Sequence, residues 1–427
     1  MLFFSNSIFY SFFLNKKRPI GFLFGGGIYI QAHKKWSMWS QLIAGFLLVI
    51  STTGFARLAY GVLMPFMQAD LNMNYTQAGL LATTISLGFL AISPLAGLLA
   101  LKFGMKQVIM AGGFLVTVSF LFLSFSNSFY LYMLIMFFCG AGSALAFSPI
   151  MSLLVIQFQK KKGLVLGVLL SGVGSGMLLS GLITTYLIRY FPVWEWRAIW
   201  LIFSITSILF TLLSWIVLKE PGKSVTNKDD RNQGVAHAYK NRKILRVGII
   251  YFLIGSAYLI PILFQTSFMI HSGISERVAG SLFSISGLFT ILGGPIWGIV
   301  SDKVGRKKSL LVALALCVMG GIIPVVNDHI ISFMTSAILF GFSIGGLMVL
   351  VQAMAVERSL PYLVPAVLGF ITIFFATGQL VGPFLAGSII EHLGGVREAY
   401  VFAIFIFFTA LILTCFVSEK EKVVLET

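Results

Sequence analysis

The chain has 427 residues, of which 58% are hydrophobic and only 10% charged; a soluble chain carries about 25% charged residues and has nowhere to hide so much apolar surface. The net charge is +16, but the basic residues stand between apolar runs rather than on one polar domain, which argues against nucleic acid and for a lipid bilayer as partner. Three cysteines, Cys139, Cys317 and Cys415, lie far apart inside apolar runs without CxxC or Cys/His spacing, so no disulfide, zinc or other cofactor is expected.

Residues 1–37 form an N-terminal extension. Its apolar run Leu2–Leu14 ends at Lys16-Lys17-Arg18, is too short to span a membrane and lacks the basic segment that precedes a signal sequence. Two readings stay open: an interfacial or disordered tail, or a protein that starts at Met38. Twelve apolar runs of spanning length follow, over 41–67, 75–100, 107–126, 129–157, 163–189 and 197–218, then 244–270, 277–301, 308–326, 329–356, 364–390 and 398–417. Runs this long read as helices, because only helices or closed barrels satisfy the backbone in hydrocarbon, and barrel strands are much shorter. The expected fold class is an all-α integral membrane protein. A six-helix bundle spans 38–218, a flexible cytoplasmic linker 219–243, a second six-helix bundle 244–418, and a tail 419–427.

Lys and Arg set the orientation. With residues 1–40 inside the cell, 25 of the 30 fall on inner segments and four, Arg189, Arg197, Arg277 and Arg397, on outer loops. This predicts a multi-pass protein of the cell membrane with both termini cytoplasmic.

The two halves repeat. Gly97, Gly104 and Lys106 recur as Gly298, Gly305 and Lys307, and Gly167, Gly176 and Ser180 as Gly369, Gly378 and Gly382. Arg197 and Arg397 open the sixth and twelfth runs. A doubled six-helix unit is a transporter architecture with its solute site between the halves near mid-membrane.

The segment Gly298-Ile-Val-Ser-Asp302-Lys303-Val-Gly305-Arg306-Lys307-Lys308 resembles the loop signature of the major facilitator superfamily between its eighth and ninth helices. The first-half copy, Gly97 to Lys106, is looser, with Leu101 in place of the usual Asp and Met105 in place of Arg. The stretch Gly54-Phe-Ala-Arg57-Leu-Ala-Tyr60-Gly61 with Pro65 is similar to a poorly characterised bacterial branch, and more distantly to monocarboxylate and oxalate–formate carriers. The resemblance implies the major facilitator fold, a cavity lined by helices 1, 4, 7 and 10, and a gating loop that latches the cytoplasmic side. Gly298, Asp302, Gly305, Arg306 and Lys307, with Gly97, Gly104 and Lys106, are the gating candidates. The alternative is that the basic residues serve topology alone.

Arg57 is the one charged residue deep in a span, about 5 Å from the middle of the first helix at 1.5 Å per residue. No Asp or Glu shares its depth. A buried charge is costly unless it meets a partner or a wet cavity, and a guanidinium grips a carboxylate through two parallel hydrogen bonds. Arg57 therefore reads as an anion site, with Tyr60 beside it and Tyr251, Tyr258 and Gln265 at heptad spacing on the seventh helix. The competing readings are a structural arginine and ordinary helix packing. The expected function is alternating-access secondary transport of a small solute by a monomer, with an organic anion such as a carboxylate as the expected class and a co-transported proton as a further partner. Rivals are a drug-efflux carrier of the same fold and a transport-inactive sensor. No HExxH, GxSxG, Walker or paired-carboxylate pattern suggests an enzyme.

Overall fold

The computed structural model describes residues 26–158, 161–190, 194–220, 242–358 and 364–417. Residues Met1–Trp39 form one unit, helical from Gly26 in its described part, and Ser40–Thr427 form the other. The apolar run at 2–14, nearly all of the linker and the C-terminal tail lie outside the described residues.

Twelve helices among the described residues are long and apolar enough to cross a membrane. They are α1 (Met38–Asp70), α2 (Tyr75–Phe103), α3 (Met105–Phe125), α4 (Phe129–Gln157), α5 (Lys162–Leu187) and α6 (Glu195–Val217). The second set is α7 (Arg242–His271), α8 (Glu276–Val304), α9 (Arg306–Val326), α10 (Ile330–Val356), α11 (Val364–Leu393) and α12 (Val396–Cys415). Successive helices run up and down, so their connections fall at two ends. The linker end holds the turns after Phe103, Val217, Val304 and Val356. The opposite end holds those after Asp70, Leu187, His271 and Leu393.

The repeat seen in the sequence is a repeat of contacts. Gly104 and Gly305 join helices at the linker end with φ of 95° and 103°, a backbone region that only glycine enters without strain. A Cβ at Gly140 would lie 1.9 Å from the Ile85 carbonyl oxygen, and one at Gly341 would lie 2.2 Å from that of Ser286. Both pairs sit 201 residues apart, so α2–α4 and α8–α10 cross through the same glycine. Likewise a Cβ at Gly176 would meet Gly54 and one at Gly378 would meet Gly255. These small residues let helices approach until backbones touch, the packing that holds helices together where lipid removes the hydrophobic drive. Large apolar residues such as Phe114, Phe122, Leu209, Ile216 and Phe405 stay exposed, as a lipid-facing surface requires.

Helix α1 departs from the expected regular helix. Residues Ile50–Leu58 form a π-helical stretch. Ser51 and Thr52 donate their hydroxyls to the Leu48 carbonyl at 3.0 and 2.8 Å, and Gly54 presses on Gly176. Side-chain hydroxyls competing for helix carbonyls bend a helix, and π-helical turns gather at functional positions. Arg57 is the last basic residue of this stretch.

Candidate functional site

Four helices bring their central residues together. Phe89 is the middle residue of α2, Gln379 lies at the middle of α11, and Arg57 and Tyr258 lie within one turn of the middles of α1 and α7. The Arg57 guanidinium stands over the Phe89 ring, 4.1 Å from its centre, and donates through Nη2 to Gln379 Oε1. Tyr258 packs on Phe375 at 5.7 Å between ring centres. Tyr251 stacks on Phe375 at 4.4 Å between ring centres and receives a hydrogen bond from Gln352 Nε2 at 3.2 Å. The cation is thus held by an amide dipole and a ring face, both neutral. Among the described residues no salt bridge includes Arg57.

Of the site residues read from the sequence, Tyr251 and Tyr258 share the Phe375 ring, one turn before Gln379, while Arg57 is held by Gln379 and Phe89. Tyr60 and Gln265 do not join them. The Tyr60 hydroxyl donates to the Ala78 carbonyl at 3.0 Å and ties α1 to α2. Gln265 accepts from Ser286 Oγ at 3.4 Å, between α7 and α8. The sequence reading missed Phe89, Gln379, Phe375 and Gln352. Gln379 carries the same signal as Arg57, a polar side chain in mid-span, but a neutral amide in an apolar run stands out less than a charge. Nothing distinguishes Phe89 from the other 40 phenylalanines in the sequence.

On the side of Arg57 away from the linker end lies a cavity of about 10 Å³ for water centres, lined by Arg57, Gly61, Ser86 and Ile262 among others. It has room for about one water molecule. Beyond it the halves are sealed. A Cβ at Gly61 would lie 2.2 Å from the Ile262 oxygen, one at Gly79 2.4 Å from that of Pro383, and one at Gly387 2.3 Å from that of Tyr75. Tyr75 also binds Glu391 through its backbone N–H at 3.1 Å and His271 through its hydroxyl at 3.2 Å.

Toward the linker end the same seams are unpacked among the described residues. A Cβ at Gly97, Gly167, Gly298 or Gly369 would meet none of them within 4 Å. Eighteen residues are five helical turns, so positions 18 apart share a face about 27 Å apart along the axis. Gly97 is 18 residues from Gly79, Gly369 from Gly387, Gly298 from Gly280, and Gly167 from Thr185. Gly280 and Thr185 face each other across α8 and α5. All four open glycines therefore lie on seam faces that are packed at the opposite end.

The gating candidates sit at the linker end. Arg306 pairs with Asp302, reaches Glu357 on the far end of α10 at 3.2 Å, and donates to Ser301 Oγ and the Gly298 carbonyl. Lys307 Nζ donates to the Cys415 carbonyl at 2.8 Å. The loop thus gathers the ends of α8, α9, α10 and α12. The first-half copy, lacking the aspartate, uses another carboxylate: Glu220, just past α6, accepts from the Met105 and Lys106 backbone N–H groups at 2.7 and 2.8 Å. An anion at a helix N-terminus is favoured by the unpaired N–H groups and the helix dipole. Glu220→Ala is expected to lower stability by about 0.5–1 kcal/mol, read as a lower unfolding midpoint in detergent; an unchanged midpoint would remove Glu220 from the account of α3.

Residues 49–415 match the family model described as uncharacterised MFS-type transporter YbfB. Monocarboxylate transporter 13 of Bos taurus is 24% identical over 324 residues, covering 73% of each chain. The multi-drug resistance efflux pump PmrA of Streptococcus pneumoniae is 31% identical over 188 residues, 40% of this chain and 46% of the pump. The crystal structure of a mutant of the nucleoside transporter NupG superposes with a TM-score of 0.75 at 12% identity, covering 90% of this chain and all of that one.

Proposed function

The chain belongs to the MFS-type transporter family represented by YbfB, and from that premise we propose that it carries a small organic monoanion by alternating access, with its linker end in the cytoplasm. The observation that carries this reading is Arg57: a guanidinium at mid-span, between the two halves, held only by neutral groups among the described residues. Such a cation attracts one carboxylate, and nothing at its depth offers a second charge for a dicarboxylate. The distant likeness to a monocarboxylate transporter points the same way. The likeness to an efflux pump covers less of the chain, and a lone cation in the cavity repels cationic drugs.

The positive-inside bias assigns the linker end to the cytoplasm. The seams are then closed outside and open inside, the geometry of a carrier facing the cell interior. Asp70, a carboxylate at the outer end, is engaged by Arg197 and by Trp196 Nε1 at 3.2 Å. We assign the proton, if one moves, to the weak acid itself.

Uptake into proteoliposomes tests this with labelled formate, lactate, pyruvate, benzoate and oxalate, each with and without an inward pH gradient. Saturable uptake of at least one monocarboxylate, with oxalate excluded and stimulation by the gradient, is expected. Transport of a lipophilic cationic dye with no acid uptake would replace the anion reading by drug efflux.

A further inference from the structure

The hydrogen bond from Arg57 to Gln379 joins residues 322 positions apart, one in each half of the carrier. It is made by the group assigned above to the solute. A neutral amide is a weaker partner for a guanidinium than a carboxylate, because charge-assisted pairs with an ionised acceptor are shorter and stronger. We propose that Gln379 is a stand-in for the solute: its Oε1 occupies Arg57 in the empty carrier, a monocarboxylate displaces it, and it returns when the acid leaves. This rests on the anion reading of Arg57.

The consequence is kinetic. A carrier whose cation has no partner when empty must carry that bare charge through mid-membrane to reset, where ionised groups are expensive. Such a carrier exchanges one solute for another but resets slowly without one. Here the amide oxygen and the Phe89 face, 4.1 Å from the guanidinium, remain on the cation in the absence of solute. The empty carrier can therefore reorient, and the protein performs net transport as well as exchange. Neighbouring contacts keep the α11 backbone in place for this. Thr83 Oγ1 on α2 donates to the Leu380 carbonyl at 3.0 Å, and Gly382 on α11 packs on Ser256 of α7.

The test compares two fluxes in the same proteoliposomes, with whichever acid of the five-member panel wild-type protein takes up fastest. One is exchange, with unlabelled acid on both sides. The other is net uptake into empty vesicles. Gln379→Met keeps the length of the side chain and removes the acceptor oxygen. It is expected to lower the ratio of net uptake to exchange roughly 10- to 100-fold, the factor a hydrogen bond to a charged group is worth. Gln379→Glu supplies a resident anion that competes with the acid. It is expected to raise KM at least roughly tenfold while the ratio of net uptake to exchange does not fall. If Gln379→Met lowers both fluxes equally or neither, the amide is a packing residue and the stand-in is wrong, although the anion reading survives. Should the Met variant fail to fold, an unchanged KM in Gln379→Glu overturns the proposal by itself. Absence of wild-type uptake of every acid in the panel removes the anion reading and this proposal with it.

Discussion

Arg57→Ala is expected to lower monocarboxylate uptake roughly a hundredfold, and Arg57→Lys roughly tenfold, the lysine variant without loss of thermal stability. Two charge-assisted hydrogen bonds to a carboxylate are worth about 3 kcal/mol together, about a hundredfold in affinity. Lysine keeps the charge but loses the planar pair of donors, so it recovers part of the effect. A purely structural arginine would behave the other way. Its removal would strand the Gln379 amide and loosen the contact between α1, α2 and α11 made through Phe89 and Gln379, and the unfolding midpoint would fall along with transport. Uptake rates per folded molecule, set beside unfolding curves in detergent, separate the two. Wild-type uptake by Arg57→Ala would end the assignment of Arg57 to the solute.

The second large effect is expected from single glycines at opposite ends of one seam. At Gly387 a side chain would run into the Tyr75 carbonyl, with the Cβ 2.3 Å from its oxygen. The obstacle is backbone, so α2 and α11 must part at that end. Overpacking of this kind costs about 1–3 kcal/mol, which shifts the balance of states by about 10- to 100-fold. Gly387→Leu is therefore expected to hold the carrier open at that end, the one away from the linker. Gly369, 18 residues away on the same face, has nothing within 4 Å in this state. Gly369→Leu costs nothing here and instead prevents the linker end from closing. Both variants lose turnover, with opposite patterns of access. The substitution Ser86→Cys, at a position that lines the small cavity beside Arg57, reports the difference in a background without Cys139, Cys317 and Cys415. A membrane-impermeant thiol reagent is expected to reach it from the extracellular side in Gly387→Leu and not in Gly369→Leu. Identical labelling in the two variants would refute the seam account.

The architecture was legible because its causes are local. Twenty apolar residues without a charge have few alternatives in a membrane, and a glycine with φ near 100° at Gly104 and Gly305 leaves a mark that repeats with the chain. Arg57 was legible for the same reason, since a charge inside hydrocarbon stands out by itself. Gln379, Phe89 and Phe375 were not, because their role comes from neighbours in other helices: an amide or a ring in an apolar run is ordinary until a cation is found against it. Tyr60 and Gln265 illustrate the converse. Their sequence positions suit a site, but rotation about the helix axis turns one hydroxyl to the Ala78 carbonyl and the other amide toward Ser286. The capping of α3 by Glu220 was equally hidden, since Glu220 lies 115 residues from the N–H it accepts from.

The sequence by itself determined the number of helices, the repeat and the presence of one costly charge at mid-depth, all of which follow from how single residues partition between water and hydrocarbon. Only the tertiary structure decided what that charge touches and which end of the seams is closed. Those depend on close approach between helices far apart in the chain, set by where backbones meet at glycine and by the direction each side chain takes, and no single segment encodes them.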